Sequence, residues 1–403
     1  MDKKSVVILD GNQRSSLAVA RSLGKRGIDL LVGERKGRSL TSSSKYCKGS
    51  FSYESPAEMP GSFIESLKRE IERMGNPVLF PMTEITLGEI LRHREELDGK
   101  AIVPFPGTYA YEAVSDKANL LKIAEKSSVP VPLTLFSTDY EERGELINKA
   151  GELGYPLVIK PGRSRFRLKD RWIEAGVRYA SSETELYDML GREPFKSNPF
   201  LLQERIVGQG VGIFLLMKDG EKVARFAHKR IREKPPSGGV STLCESISPP
   251  EETYAWAVKL LESVCWTGVA MVEFKLDMRD KRYKLMEVNG RFWGSLQLAI
   301  ASGVDFPFYL YKMAIGEKTR VPNTYRVGLK SRWELGDLDH LLLRLLKREK
   351  VLNLPVGHPS KSKMIGDFLL DFLRPAVRHE VMRLDDPGPF FFELKNYLKE
   401  FSK

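Results

Sequence analysis

Residues 268–291 read GVAMVEFKLDMRDKRYKLMEVNGR, and this stretch decides how the whole chain is interpreted. Two apolar runs flank a polar turn at Asp280, a pattern typical of a β-hairpin. A hairpin centred on that residue places Glu273 directly opposite Glu287. Because side chains alternate with a period of two along a strand, Asn289 then lies on the same face as both glutamates.

The other face of this hairpin is apolar in the predicted register. Val272 lies opposite Val288, and Phe274 lies opposite Met286. An exposed edge hairpin whose acids face water would show the same alternation of apolar and charged residues. The spacing alone leaves that alternative open.

The polar face of the hairpin has the chemistry of a metal site. Two carboxylates directly opposite each other repel and destabilise a sheet, so a sheet that keeps them indicates a cation between them. Glu273, Glu287 and Asn289 offer three oxygen ligands, which suit Mg²⁺ or Mn²⁺. Arg291 continues the same alternation and could reach an anion bound at that metal.

The chain as a whole has the composition of a globular protein. Its 403 residues predict about two to three domains, and 42% hydrophobic with 29% charged residues exclude the disordered, collagen-like and coiled-coil classes. Lys and Arg number 64 against 53 Asp and Glu, and the resulting net charge of +11 favours anionic partners. Three scattered cysteines and the lack of a signal-peptide or membrane-spanning pattern lead us to expect a cytoplasmic protein.

The first part of the chain, residues 1–112, predicts a doubly wound α/β domain. Its predicted elements are strands at 5–9, 28–32 and 78–80, a helix from Ser15 to about residue 24, a helix at 62–74 and a further extended segment at 101–104. The first turn holds only Gly11 of the dinucleotide-binding fingerprint, which argues against a nicotinamide or flavin site there.

The remaining chain divides into a second domain at 113–328 and a helical extension at 329–403. In the second domain we expect a helix starting at Ser115-Asp116, strands at 155–160, 174–180 and 200–204, and helices at 183–190 and 251–264. The extension is leucine-rich and basic, with nine Lys or Arg against four acids between residues 344 and 383. Its helices either expose a solvated basic face or bind a polyanion or an anionic membrane.

The run Leu285–Ser295 (LMEVNGRFWGS) resembles the metal-binding signature of the ATP-grasp superfamily, and it is most similar to the branch with carbamoyl-phosphate synthetase large subunits and biotin carboxylases. Three upstream segments resemble other elements of that superfamily in the expected order: Ser115-Asp116-Lys117, Tyr155–Pro161 and Leu202–Ile206. The resemblance implies an α/β fold with a Rossmann-like pre-grasp domain, a two-subdomain α+β grasp unit and the basic helical extension.

The resemblance also implies an ATP site. Lys117 and Lys160 would bind the phosphates, and Glu204 would accept a hydrogen bond from the adenine amino group beside the backbone of Arg205 and Ile206. The basic segment at 163–171 would form a charged lid over the triphosphate, although a polyanion-binding stripe and a solvated hairpin remain alternatives.

The same resemblance assigns the chemical end of the site. Glu273, Glu287 and Asn289 would hold one or two Mg²⁺ (or Mn²⁺) ions, and Arg291 would steady the transferred phosphoryl group. Arg230 and Arg232 are candidates for binding a substrate carboxylate. His228 is either a structural histidine or a catalytic base.

The expected function is therefore that of an ATP- and Mg²⁺-dependent ligase. It would activate a small-molecule carboxylate as an acyl phosphate for attack by an amine or another nucleophile. The alternatives are a non-catalytic ATP-binding regulatory module and a polyanion or membrane-surface binder. Nucleic acid is not an expected partner, and no feature of the sequence indicates an oligomeric state.

Overall fold

The computed structural model describes residues 3–162, 165–168, 171–174, 176–318, 320–352, 354 and 357–401. Within these residues the chain forms three sheets of four, four and seven strands and a separate two-stranded hairpin. Helices pack on the sheets, so the predicted α/β class is confirmed.

The N-terminal part alternates strands and helices. Its elements are β1 (Val6–Ile8), α1 (Arg14–Gly24), β2 (Leu30–Glu34), β3 (Gly49–Ser52), α2 (Pro60–Met74), β4 (Val78–Phe80), α3 (Glu84–Arg92), α4 (Arg94–Leu97) and α5 (Thr108–Ser115). The strands form a parallel sheet in the order β3-β2-β1-β4. Strand β1 is entirely apolar because both faces of a parallel sheet are covered. The extended segment expected at 101–104 contributes only an isolated bridge between Ile102 and Val78.

The next part of the chain forms a small antiparallel sheet. Its elements are α6 (Lys117–Lys126), β5 (Thr134–Phe136), α7 (Arg143–Gly151), β6 (Leu157–Pro161), β7 (Arg165–Leu168), β8 (Arg171–Glu174), β9 (Arg178–Ala180), α8 (Glu183–Leu190) and β10 (Phe200–Glu204). The order is β5-β10-β6-β9, and β7 pairs with β8 as a separate hairpin. The predicted start of α6 is confirmed, because the Asp116 carboxylate caps the helix by accepting from the N–H groups of Ala118 and Asn119 at 3.0 Å each.

The third sheet is the largest. Its elements and the helices around it are β11 (Gly210–Lys218), β12 (Glu221–Lys234), β13 (Val240–Ser246), α9 (Glu251–Glu262), β14 (Gly268–Leu276), β15 (Tyr283–Asn289), α10 (Leu296–Ser302), α11 (Phe306–Ala314), β16 (Lys330–Arg332), α12 (Glu334–Leu346), α13 (Glu349–Leu352), α14 (Lys361–Leu370), β17 (Val377–His379) and α15 (Gly388–Phe401). The strand order is β15-β14-β11-β12-β13-β16-β17.

A continuous apolar core joins this large sheet to the N-terminal sheet. Phe80 on β4 meets Phe292, just after β15, edge to face with ring centroids 5.7 Å apart. Trp266 is fully buried in the same core. Because this core is shared, the end of β15 is held against the carboxyl edge of the parallel sheet.

The segment after residue 328 is more than the helical extension that the sequence suggests. Strand β16 pairs with β13, and β17 pairs with β16, so the large sheet continues through this segment. Both strands have three residues and mostly polar side chains, and such short strands give almost no periodic signal.

A buried ion pair ties this C-terminal segment to the first helix. The Arg21 guanidinium on α1 donates to Asp386 at 2.8 Å and to the carbonyl of Glu380 at 2.7 Å. Both charged side chains of the pair are at most 2% exposed. The first and last parts of the described chain are therefore packed together.

Some of the basic side chains between residues 344 and 383 are buried or paired with acids. Arg344 is buried and donates to the carbonyl of Pro359 at 2.8 Å. Arg374 is paired with Asp367 and Asp371 on the neighbouring helix α14 and its end. Arg344 therefore belongs to the packing of the helices, and the charge of the partly exposed Arg374 is offset by two acids.

Candidate active site

The predicted hairpin lies at the edge of the large sheet, where β14 pairs with β15. Glu273 is opposite Glu287 and Val272 is opposite Val288, so the predicted register is confirmed at these positions. Both carboxylates line one cavity of about 640 Å³. The strand pairing therefore places two acids side by side on a cavity wall.

The register of this hairpin changes directly after the acid pair. The prediction that Phe274 faces Met286 is wrong, because a β-bulge sets Phe274 opposite Leu285. Phe274 and Leu285 are fully buried, whereas Met286 lines the cavity. Bulges redirect side chains in this way next to binding sites. The bulge thus adds an apolar side chain to the wall that carries the acids.

Asn289 connects the acid pair to Arg291. Its Nδ2 donates to Oε1 of Glu287 at 2.8 Å, and its Oδ1 accepts from Nη2 of Arg291 at 2.9 Å. The same Nη2 lies 3.4 Å from Oε1 of Glu84, the first residue of α3. Asn289 and Arg291 both line the cavity. The predicted polar groups of Glu287, Asn289 and Arg291 therefore lie together.

Arg230 on β12 supplies a guanidinium to the acid pair. It donates to Glu273 and, at 2.8 Å, to Oε1 of Glu233. Burial raises the pKa of Glu273 to about 7, with the Arg230 charge opposing the rise and the Glu287 charge adding to it. Although burial lowers the pKa of Arg230, the neighbouring acids more than offset that effect and raise it. Arg230 therefore lies in the cavity wall, with its charge shared by two acids.

Glu287 has the opposite electrostatic balance. Burial alone would raise its pKa, but the hydrogen bond from Asn289 and the charges of Arg230, Lys117 and Lys160 bring it below the ordinary value. Glu287 is therefore ionised in the folded protein while its partner Glu273 titrates near neutrality. One wall of the cavity thus holds one fixed and one titratable carboxylate.

Lys160 is placed as the resemblance implies, at the end of β6 and inside the cavity. It is only 8% exposed, and burial lowers its pKa to about 8 against the attraction of Glu287 and Glu273. Lys117 is the first residue of α6, and its backbone N–H donates to the carbonyl of Gly162 at 3.4 Å. Both lysines lie close enough to the acid pair to influence its titration.

Glu204 is the last residue of β10, and its carboxylate already accepts hydrogen bonds. It accepts from the Leu133 N–H at 2.8 Å and from Lys284 Nζ at 3.2 Å, and Arg279 binds it as well. These donors occupy both oxygens and hold the end of β10 against the β14–β15 turn. The predicted contact with an adenine amino group would have to be added to these bonds.

The two residues after Glu204 also line the cavity. The carbonyl of Ile206 accepts from Nζ of Lys275 at 3.3 Å. The guanidinium of Arg205 lies 5.6 Å from the ring centroid of Tyr179, in the range of cation–π contacts. Lys275 and Tyr179 belong to this end of the cavity, and the sequence did not single them out.

Arg232 does not join the other predicted residues. Its guanidinium donates to both oxygens of Asp337, at 2.6 and 2.9 Å, and also pairs with Asp371. Simple alternation along β12 would place Arg232 on the same face as Arg230. The pairing of β12 with β13 shifts register between these two residues, however, so that rule does not hold here. Arg232 thus anchors the C-terminal helices, which does not support the predicted role in binding a substrate carboxylate.

The cavity is also lined by residues that are distant in sequence from the β14–β15 hairpin. The loop between β1 and α1 contributes Asn12, Gln13 and Arg14, and the C-terminal segment contributes Trp333 and Glu393. Sequence reasoning did not identify them. The loop could have been found, because ligands commonly bind at the carboxyl ends of parallel strands.

Comparisons with known proteins agree with this geometry. Residues 196–335 match the family described as ATP-grasp in the biosynthetic pathway with Ter operon. The fold is similar to that of the biotin carboxylase–β,γ-ATP complex from Campylobacter jejuni, with a TM-score of 0.62 at 16% identity over 81% of this chain and 74% of that one. The match of residues 196–335 and the likeness of the fold agree with the ATP-grasp resemblance of the sequence.

Two curated relatives of this chain are named as ligases. D-aspartate ligase of Enterococcus faecium is 22% identical over 244 residues, which are 59% of this chain and 58% of that protein. D-alanine--D-alanine ligase of Anaplasma marginale is 29% identical over 160 residues, which are 38% of this chain and 45% of that protein. The chain therefore spans about half the length of each of these relatives.

The acid pair and Asn289 have the donor chemistry that suits a magnesium ion. Among the described residues no three His, Cys, Asp or Glu side chains are grouped as a metal site, and the donors offered here would be two carboxylates and one amide. Mg²⁺ commonly keeps several waters and shares its remaining positions with substrate phosphates. Two opposed carboxylates on the cavity wall, of which Glu273 is buried and Glu287 partly buried, lie beside Asn289 and match that requirement.

His228 is buried in the large sheet behind the cavity wall. It is 1% exposed, and its Nδ1 lies 3.2 Å from the Ser295 hydroxyl. Burial lowers its pKa to about 3, with a contribution from the Arg230 charge. The imidazole is therefore neutral at physiological pH and is a weak proton acceptor.

The basic segment predicted as a lid, residues 163–171, lies largely outside the described residues. Only the backbone of β7 and β8 is described there, and it forms a hairpin. Among all the described residues, no helix combines the length and apolarity needed to cross a membrane.

Proposed function

We propose that this protein is an ATP- and Mg²⁺-dependent ligase that joins a small-molecule carboxylate to an amine. A single observation carries the proposal. One cavity contains the opposed acids Glu273 and Glu287, the amide of Asn289 and the cationic groups of Lys160 and Arg291. Phosphoryl transfer depends mainly on positioning and on neutralising charge, and this set of groups does both.

The adenine end of the cavity would be the segment after β10, where Glu204, Arg205 and Ile206 lie beside Lys275. The backbone there would offer hydrogen-bonding groups to a base, and Lys160 lines the same cavity within the field of the acid pair. Glu273, Glu287 and Asn289 would hold Mg²⁺, which when bound neutralises phosphate charge. Lys117 adds positive potential from the start of α6.

Two arginines would hold the reacting groups. Arg291 is fixed by Asn289 and by the carbonyl of Phe292 at 3.0 Å, which leaves its guanidinium at the cavity surface beside the acid pair. Arg230 donates to the carbonyl of Gly239 at 3.0 Å and thereby holds the Gly238-Gly239 turn against the cavity. Guanidinium groups of this kind bind carboxylates and phosphates.

The reaction would have two steps. A carboxylate oxygen attacks the γ-phosphorus of ATP, ADP leaves, and an acyl phosphate forms. The amine loses a proton to solvent, and its neutral nitrogen attacks the acyl carbon. The carbon–oxygen bond to phosphate breaks, inorganic phosphate leaves with the electron pair, and the nitrogen releases a further proton to solvent to give the amide. The names of the two curated relatives, ligases of D-aspartate and of D-alanine, support a carboxylate–amine reaction of this kind.

The test is a screen for ADP release in the presence of ATP and Mg²⁺. Amino acids, sugar acids and other small carboxylates would each be offered with a panel of amines. We expect ADP release that depends on one carboxylate and increases with one class of amine. Tight binding of ATP without ADP release from any pair would instead favour a regulatory ATP-binding module, and failure to bind ATP with Mg²⁺ would reject the proposal.

A further inference from the structure

One part of the cavity wall is built from both ends of the described chain. Arg14 begins α1, Trp333 precedes α12, and Glu393 lies on α15. All three line the same cavity as the acid pair. Gly294 allows this close packing, because a Cβ at that position would lie 2.9 Å from Nη2 of Arg14. This part of the cavity wall thus depends on the C-terminal segment.

The Glu393 carboxylate is only half satisfied in this wall. Its Oε1 accepts from the indole Nε1 of Trp333 at 2.8 Å. Its Oε2 is buried and has no hydrogen-bond partner among the described residues. A buried carboxylate oxygen without a donor is costly, so a group that binds here gains by donating to it. Burial raises the pKa of Glu393 to about 7, and the Trp333 hydrogen bond and the Arg14 charge oppose the rise.

Arg14 does not supply the missing donor. It is paired with Glu380 and lies over the Trp333 ring at 4.2 Å from its centroid. Two further buried acids add negative potential, since both Glu334 and Glu380 raise the pKa of Glu393. One arginine is therefore shared among several carboxylates in this part of the wall.

Two parts of the cavity wall consequently differ in charge. Lys160, Arg230 and Arg291 line the part around the acid pair, where a nucleotide triphosphate would lie. The part lined by Glu393 has one carboxylate oxygen without a donor, beside the ring of Trp333 and an arginine already paired with an acid. A ligand that is cationic at one end complements this arrangement.

We infer that Glu393 is a specificity-determining residue that binds the ammonium group of a primary-amine substrate at the part of the cavity wall formed by Arg14, Trp333 and Glu393. This inference rests on the proposed ligase function, and it assigns the amine to the wall contributed by the C-terminal segment. Neutral nucleophiles such as hydroxylamine lack the charge that Glu393 selects. They would use the activated carboxylate without needing this residue.

The test separates the two half-reactions in the full-length protein. Hydroxylamine traps the acyl phosphate as a hydroxamate and reports carboxylate activation alone, whereas ADP release with the amine found in the screen reports the complete reaction. Glu393→Gln keeps the shape and an acceptor for Trp333 but removes the charge. Glu400→Gln changes an exposed glutamate on the same helix and serves as the matched control.

We expect Glu393→Gln to raise KM for the amine at least tenfold while the rate of hydroxamate formation and KM for ATP stay within twofold of wild type. The Glu400→Gln control should match wild type in every assay. An unchanged KM for the amine, with hydroxamate still formed, would overturn the inference and leave the ligase function intact. Equal losses in both half-reactions with a lowered melting temperature would overturn it too, in favour of a structural role. If no carboxylate gives hydroxamate in the wild-type protein, the ligase proposal itself fails.

A second variant tests the wall independently of the Glu393 charge. Trp333→Phe removes the indole donor to Glu393 but keeps a ring beneath Arg14. We expect a smaller increase in KM for the amine, about threefold, because the carboxylate keeps its charge and loses its orientation. A larger effect on hydroxamate formation than on KM for the amine would contradict the assignment of this wall to the amine.

Discussion

Glu273 and Glu287 lie directly opposite each other on two paired strands, yet their pKa values move in opposite directions. Burial raises the pKa of Glu273 to about 7. Glu287 receives a hydrogen bond from Asn289 and lies within the field of Lys160, and these effects outweigh its burial. The two carboxylates together thus carry between one and two negative charges at neutral pH. A bound divalent cation would keep both of them ionised.

Replacing Glu287 should abolish Mg²⁺-dependent turnover without unfolding the protein. We expect Glu287→Gln to lower the rate of ADP release by about 100-fold or more, because the charge that faces the metal and the triphosphate is removed. Steady-state kinetics over a range of Mg²⁺ concentrations would measure it. Glu262→Gln, at an exposed position on the end of α9, is the control and should behave as wild type. Wild-type kinetics in Glu287→Gln would remove this residue from the site.

The raised pKa of Glu273 predicts a pH dependence of stability in metal-free protein. Below pH 4.5, the ordinary pKa of a glutamate, the Glu273 carboxyl is protonated in both the folded and the unfolded state and does not make stability depend on pH. As pH rises from there to about 7, the unfolded state ionises more readily than the folded state, so stability falls by up to about 3 kcal/mol. Urea unfolding in EDTA at pH 5, 6 and 8 would show this decline in wild type and a flatter profile in Glu273→Gln. Arg230 loses an acceptor in the variant, which changes the free energy of unfolding at every pH. The test therefore compares how steeply the free energy of unfolding changes with pH, not its absolute value.

Lys160 should make nucleotide binding weaken at alkaline pH. Its lowered pKa of about 8 means that the ammonium is present below pH 8 and is lost as the pH rises through that value. We therefore expect the Kd for Mg²⁺-ATP to rise several-fold between pH 7 and pH 9. Lys160→Arg should remove this dependence, since arginine stays charged, and Lys160→Met should bind ATP weakly at both pH values. Calorimetric titrations would test this, with the exposed Lys126→Met as a control.

Gly208 should be intolerant of any side chain. A Cβ there would lie 1.7 Å from the backbone carbonyl oxygen of Leu276, so the segment after β10 could not stay against the β14–β15 hairpin. We expect Gly208→Ala to lower the free energy of unfolding by more than about 2 kcal/mol and to weaken ATP binding. Gly88→Ala is the matched control. It lies within helix α3 with open space around it, and the change should stabilise by about 0.5–1 kcal/mol.

The Arg21–Asp386 pair should be essential for attaching the C-terminal segment. Removing one member leaves a buried charge without its partner, which typically costs about 3–5 kcal/mol. We expect a loss of that size in Arg21→Ala, measured by urea unfolding. The exposed pair Arg73–Glu70 offers the contrast, and Arg73→Ala should cost at most about 1 kcal/mol. Similar small losses in both variants would show that the C-terminal segment is held by its apolar contacts alone.

Much of the fold could be predicted where side-chain periodicity is strong. Strand β4, helix α8 and strand β10 have the predicted bounds. The opposed position of Glu273 and Glu287 followed from the alternation of β14 and β15 around one turn. These features depend on local patterns, which a single sequence contains.

The rest depends on contacts between distant residues. The bulge beside Glu273 adds one residue without disturbing the apolar pattern, so the sequence could not indicate it. The role of Arg232 is fixed by Asp337, which lies 105 residues further along the chain. Arg14 and its partner Glu380 are 366 residues apart. A spacing rule cannot identify partners at such separations.

The cavity wall that contains Arg14 and Glu393 also constrains the order of events during synthesis. A chain still attached to the ribosome can form the parallel sheet and much of the central sheet as they emerge, since domains generally fold as they are made. It cannot complete the wall that contains Arg14 until the stretch carrying Glu393 has left the exit tunnel. Translation that stops before that stretch would release a molecule with its nucleotide-facing residues present and that wall open. Under the proposed function, such products would keep the residues proposed to bind ATP and would lack the wall proposed to select the amine.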